Sequence, residues 1–146
     1  MPDSKRQQIV TALDARLKLI TVANGYETNL GTNVKWYRQE PFAEAEIGIS
    51  CEDSETAPEW IGFGVQLHRM TVVIDAVLPA TAQAPELRAA AADIVKAIGA
   101  DVTLGGLAED CILGDVQMDV GQESVRAGGA RLSAVFEYAT DPWTAY

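Results

Sequence analysis

The sequence predicts an α+β domain in which a mainly antiparallel sheet of about five strands is covered by two helices, in the order α-β-β-β-α-β-β. Three observations lead there. Apolar residues recur at helical spacing in two stretches, one near the N-terminus and one at residues 87–98. Segments rich in β-branched residues or in strict alternation stand on both sides of the second stretch. Glycine pairs, Asn24-Gly25 and prolines punctuate the chain between them.

The second helix, Arg88–Gly99, organises the rest. Leu87, Ala91, Ile94, Val95 and Ile98 form its apolar stripe, and Arg88, Asp93 and Lys96 lie off it. Pro85 suits a first helical position, Lys96 favours the carbonyl end, and Gly99 suits a left-handed residue just beyond. Near the N-terminus, Ser4 and Gln7 have capping-box spacing. Ile9, Val10, Leu13, Leu17 and Ile20 then recur at helical intervals, which predicts a helix over residues 4–20. Its outward Lys5, Arg6, Arg16 and Lys18, against Asp3 and Asp14, make it the one locally basic element.

Val34–Tyr37 reads as the first strand, ending before Pro41, and Glu46–Cys51 as the second. The segment EDSETAPE, residues 52–59, carries Glu52, Asp53, Glu55 and Glu59 and no large apolar residue, so it is expected to be an exposed, mobile loop. Val65–Leu78 is the longest strand candidate, with no breaker before Pro79. Beyond the second helix, Gly105-Gly106 marks a turn. Ile112–Val120 then alternates Val116, Met118 and Val120 with Asp115, Gln117 and Asp119, as a half-buried strand would. After Gly128-Gly129, Leu132, Ala134, Phe136 and Tyr138 alternate with Arg131, Ser133, Val135 and Glu137 in the last strand. Asp141-Pro142 opens a short tail, 141–146, whose Trp143 and Tyr146 are expected to fold back on the sheet or insert into a partner.

With 146 residues the chain is one domain of ordinary size, 1–146. Eleven basic and 21 acidic residues give a net charge of −10, which argues against a protein that grips nucleic acid by neutralising phosphates. The acid is uneven: residues 1–73 carry 7 basic and 10 acidic side chains, residues 74–146 carry 4 and 11. Cys51 and Cys111 are far apart and lack metal-ligand spacing, which predicts reduced thiols. MPDSKRQQ is followed by no apolar signal-peptide core, and no apolar run approaches the roughly 18 residues of a membrane span, so a soluble chain is expected.

Catalytic signatures are sparse. Gly62 and Gly64 begin a GxG, but Leu67 occupies the third glycine position of a nucleotide fingerprint. His68, the only histidine, lies mid-strand with no nearby metal-ligand partner and reads as a strand residue satisfied by a neighbour. Glu109-Asp110 could act as an acid/base pair, yet adjacent residues at a strand start usually point apart. No serine lies in a GxSxG elbow. The expectation is a non-enzymatic chain without metal or cofactor.

Four segments carry a resemblance: ITVANGY at residues 20–26, HRMTVVIDAV at 68–77, DIVKAIGAD with GGLAED across 93–110, and FEYATDPW at 136–143. Through them the chain resembles the tail terminator proteins of long-tailed bacteriophages and prophages, the group that includes the minor tail protein U family. The resemblance implies a small α+β subunit, assembled in the host cytoplasm into a hexameric ring on the last ring of the tail tube. Such rings stop tube polymerisation and present the surface to which the head-tail connector docks. DNA would pass through an acidic lumen without specific binding, and no membrane would be involved. Arg16, Lys18, Trp143 and Tyr146 are candidate interface residues, the basic helix meeting the acidic C-terminal half of the next copy. Two other readings stand beside it: a head-tail connector or stopper of the same virion, and a small-molecule-binding or enzymatic domain built on His68 and Glu109-Asp110.

Overall fold

A computed structural model describes residues 3–37, 47–79, 81–119 and 128–144, and all structural statements below concern these residues. The architecture is α+β: two helices on one face of a mixed, six-stranded sheet. Helix α1 spans Lys5–Leu17. Strands β1 (Val34–Trp36), β2 (Gly48–Glu55), β3 (Glu59–Trp60) and β4 (Gln66–Leu78) follow. Helix α2 (Ala84–Gly99) then leads to β5 (Asp110–Asp119) and β6 (Gly128–Thr140).

The strands lie in the order β1-β2-β4-β6-β5, with β3 paired to the start of β4. β4 and β6 form the centre, antiparallel from Gln66↔Thr140 to Leu78↔Gly128. β1 and β2, which the sequence allows as a hairpin or a spaced pair, are a spaced pair and run parallel. The sheet is therefore mixed, and β3 raises the strand count above the expected five.

Even-numbered residues of β4 and β6, and odd-numbered ones of β2, face the helices. Ile49, Cys51, Met70, Val72, Ile74, Leu132, Ala134 and Phe136 are buried there against Ile9, Leu13 and Leu17 of α1 and Leu87, Ile94 and Ile98 of α2. The opposite face carries ion pairs, Arg131–Asp75 at 2.7 Å and Arg69 to Glu59 and Glu137 at 2.7 and 3.2 Å. Exposed pairs of this kind contribute about 1 kcal/mol or less each.

Local chemistry explains the helix ends. Ser4 Oγ accepts from Gln7 N–H at 3.1 Å, capping α1, which stops at Leu17; Ile20 is buried just beyond it. Glu86 Oε2 accepts the Gln83 N–H at 2.9 Å in a capping box before α2. Gly99 is the last residue of α2 and does not adopt the expected left-handed conformation; that backbone comes later, at Leu104, Gly105 and Gly106. The stripe of α2 also differs at two positions. Val95 is exposed, while Asp93 is buried, because its carboxylate accepts the Glu27 and Thr28 N–H groups at 3.1 and 2.8 Å and the Thr28 hydroxyl at 2.6 Å. Lys96 donates to the Gly25 carbonyl at 2.8 Å and sits 4.7 Å from the Tyr26 ring centroid, so one side of α2 grips the segment after α1.

Candidate functional site

The acidic segment is where the structure departs most from expectation. Glu52, Asp53, Ser54 and Glu55 are not a mobile loop; they complete β2, paired from Glu52↔Val73 to Glu55↔Met70, and Glu59 lies in β3. Asp53 and Glu55 point to the helix face, where the sheet turns from apolar to polar. The Arg6 Nε donates to Asp53 Oδ2 at 2.6 Å, and the Tyr37 hydroxyl donates to Asp53 Oδ1 at 2.6 Å. Tyr37 has a φ of 50°, a left-handed conformation costing a side-chain-bearing residue roughly 1–2 kcal/mol, and its contacts with Asp53 hold it there.

Next to this pair, Tyr138 donates its hydroxyl to Glu55, and His68 stacks on the Tyr138 ring with centroids 4.7 Å apart and planes 7° from parallel. His68 Nε2 lies 2.7 Å from Thr140 Oγ1 and its Nδ1 lies 3.8 Å from Glu55 Oε2. Lys5 Nζ closes the end by donating to the Ala139 carbonyl at 2.6 Å. Burial, then the hydrogen bond to Glu55, pushes the Tyr138 phenol upward; burial and the Asp53 contact do the same for Tyr37. Burial works against the Arg6 charge, but Asp53 more than offsets it and raises its pKa. Thr140, His68 and Glu55 have the order of a nucleophile-base-acid relay. Thr140 is buried within β6, however, and Glu55 is committed to Tyr138, so no hydroxyl is presented to a substrate. The network's chemistry is structural: it ties α1 to three strands.

Glu109 and Asp110 do not join it. Asp110 pairs with Glu137, which places it on the side of the sheet opposite His68 and Tyr138, and both acids are exposed. Among the described residues no group of three or more His, Cys, Asp and Glu could hold a metal ion, and no helix is long and apolar enough to cross a membrane. Cys51 on β2 and Cys111 on β5 are free thiols separated by β4 and β6.

What the molecule offers a partner is surface. The end of β3 and the turn joining it to β4 carry Trp60, Ile61 and Phe63, 60 %, 52 % and 108 % exposed, and Trp143 is 94 % exposed just beyond β6. Gln66 pairs with Thr140, so the turn and the tail leave the sheet at the same end. Phe63 and Trp143 both have positive φ, 50° and 59°, which turns the chain sharply at each. Trp143 thus stands away from the sheet instead of folding back on it, and Tyr146 lies outside the described residues. Three aromatics and Ile61, uncovered at one end, exceed the scattered apolar exposure of an ordinary surface. Of these four residues the sequence puts forward only Trp143, with Tyr146, as an interface candidate; large apolar residues around Gly62 and Gly64 are the signal for the others.

A second feature lies along the edges. Between α1 and β1 runs a groove of about 600 Å³, lined by Val10, Val34, Trp36, Asp14, Lys18 and Arg6 among others. Trp36 Nε1 donates to Asp14 Oδ1 at 3.1 Å, and Lys18 pairs with Asp14 at 2.7 Å, so Lys18 stands at the groove. Arg16 lies toward the other side of the helix, where it adds to the lowering of the Asp101 pKa. The two cations proposed as one interface therefore belong to different surfaces. On the opposite edge, β5 is paired only with β6 among the described residues, and Leu113, Val116 and Met118 stay exposed there. The strand expected to be half-buried is an uncovered border.

The chain matches no protein-family model and no curated protein sequence.

Proposed function

We propose that this chain is a non-enzymatic structural subunit of a phage or prophage tail. It forms a ring, hexameric by resemblance, that caps the tail tube, stops its polymerisation and offers a docking surface to the head-tail connector. The observation that carries this reading, beside the resemblance, is the aromatic end formed by Trp60, Ile61, Phe63 and Trp143. Rigid aromatics left in water at one end of a sheet suit docking to another protein, because burying them supplies large apolar area at low entropic cost. In this reading the aromatic end meets the tube, and a net charge of −10 keeps a lumen from holding the DNA that passes through.

The test is a tube-growth assay with purified tail tube protein, followed by negative-stain imaging. Addition of the chain is expected to leave tubes short and capped by a ring. Phe63→Ala and Trp143→Ala should abolish capping while leaving the circular dichroism spectrum unchanged, since neither side chain is packed in the monomer. Tubes that grow equally long with and without the protein overturn the reading.

A further inference from the structure

We infer that the β5 edge of one copy docks in the groove between α1 and β1 of the next, adding β5 to that copy's sheet. The inference rests on the ring reading and names the surfaces that would close the ring. Three observations bring those surfaces together. β5 and β1 are the two ends of the strand order β1-β2-β4-β6-β5, so a β5-to-β1 contact continues one sheet into the next.

The faces also agree. Leu113, Val116 and Met118 oppose Ala134, Leu132 and Ala130 of β6, which places them on the helix-bearing side, and each is between 42 % and 47 % exposed. The groove lies on that same side, between α1 and the border strand, with Val10, Val34 and Trp36 as its apolar walls. A strand added at β1 would carry its row of three apolar side chains into this space. The register shift between Leu113 and Val116 keeps all three on one face: Gly114 and Asp115 take up the extra residue, and a side chain at Gly114 would run into Ser133.

Charge selects a head-to-tail contact over a twofold one. Residues 101–119 carry five acidic and no basic side chains, whereas residues 4–37 carry five basic and two acidic ones. A twofold β5-to-β5 pair would lay two strands bearing Asp110 and Asp115 side by side, while the β1 side brings Lys18, beside Asp14, and Lys35. A contact between two different surfaces is heterologous, which is what a ring requires.

The test uses the full chain with Cys111→Ser as background, leaving the buried Cys51 in place. Thr11→Cys, on the exposed wall of the groove, is combined with Met118→Cys on the groove-facing side of β5, and a short bis-maleimide is added. Cross-linked species larger than dimers are expected from the double variant, and none from either variant alone. Adding Val116→Asp should cut the cross-linked fraction roughly tenfold or more, as a charge placed in a contact core does. Dimers from Met118→Cys alone would reveal a β5-to-β5 contact and overturn the inference. Rings seen by sedimentation without cross-links would overturn it and leave the ring reading standing. Monomers at every concentration, without cross-links, also overturn it, and tube capping then decides the ring reading separately.

Discussion

Gly31 gives the most direct test of how the N-terminal helix is anchored. A β-carbon built there would lie 2.6 Å from the Leu17 carbonyl oxygen, 2.7 Å from that of Lys18 and 2.8 Å from the Ile20 nitrogen. All three are backbone atoms, and they cannot swing aside as a side chain would. Gly31 N–H also donates to the Ile20 carbonyl at 2.8 Å, so retreat from the clash breaks a hydrogen bond. Overpacking usually costs about 1–3 kcal/mol, and an immovable contact belongs at the upper end. Restriction of the unfolded chain by alanine returns roughly 0.4–1 kcal/mol. Gly31→Ala should therefore destabilise by about 2 kcal/mol, a fall in Tm of roughly 4–8 °C for a chain of this size. Gly99→Ala is the control. Nothing lies within 4 Å of its added β-carbon and its backbone is helical, so that variant should gain up to about 1 kcal/mol. Thermal and urea unfolding followed by circular dichroism would give both values. A Gly31→Ala protein as stable as wild type refutes the close approach.

Ile94 is fully buried on α2, and Ile94→Asp should prevent cooperative folding by placing an unpaired carboxylate in the core; a sharp urea transition for that variant would contradict the packing. Burial, reinforced by Asp110, pushes the Cys111 thiol up to about 11, and burial raises that of Cys51 further. Alkylation at pH 8 should then modify Cys111 roughly a hundredfold more slowly than a free thiol, and Cys51 only on unfolding, as peptide mass mapping would report. The Thr103 hydroxyl, followed by the Gly105 N–H, lowers the Asp101 pKa below its ordinary 3.8. A depressed carboxylate stabilises the fold above the unfolded value and loses that contribution as pH falls through the folded one. The Tm difference between wild type and Asp101→Asn should thus be present at neutral pH and shrink as the pH falls below the ordinary carboxylate range; a pH-independent difference would rule out the linkage.

The elements legible in the sequence are those whose partners are generic. α1, α2, β4 and β6 each bury a periodic apolar face, and any apolar surface opposite would satisfy it. The second half of β2 was illegible for the opposite reason. Glu52 to Glu55 offers nothing apolar, and its place in the sheet depends on specific partners, Arg6 for Asp53 and Tyr138 for Glu55, which stand 47 and 83 positions away. Asp93 misleads in the same way, since a buried carboxylate is recognisable only once the Glu27 and Thr28 amides are known to face it. The parallel pairing of β1 leaves no trace in periodicity, because alternation reports a strand's faces and not its direction.

The surfaces proposed for assembly divide along the same line. Alternation in β5 reads as a half-buried strand, and only the topology that leaves it at the border of the sheet makes Leu113, Val116 and Met118 available for the proposed contact. The charge asymmetry, in contrast, is written in the sequence: basic residues gather before residue 38 and acids dominate after residue 100. The fold converts that order along the chain into an order across the sheet, because β1 and β5 end as its two borders. A molecule charged in this way gains from meeting another copy head to tail and loses from meeting it across a twofold axis. Reversing Lys18 to Glu should therefore weaken self-association through the groove, whereas reversing Arg16, which faces the Asp101 side of α1, should not. Sedimentation of the two single variants separates the cases, and equal weakening by both would place the contact on the helix as a whole rather than at the groove.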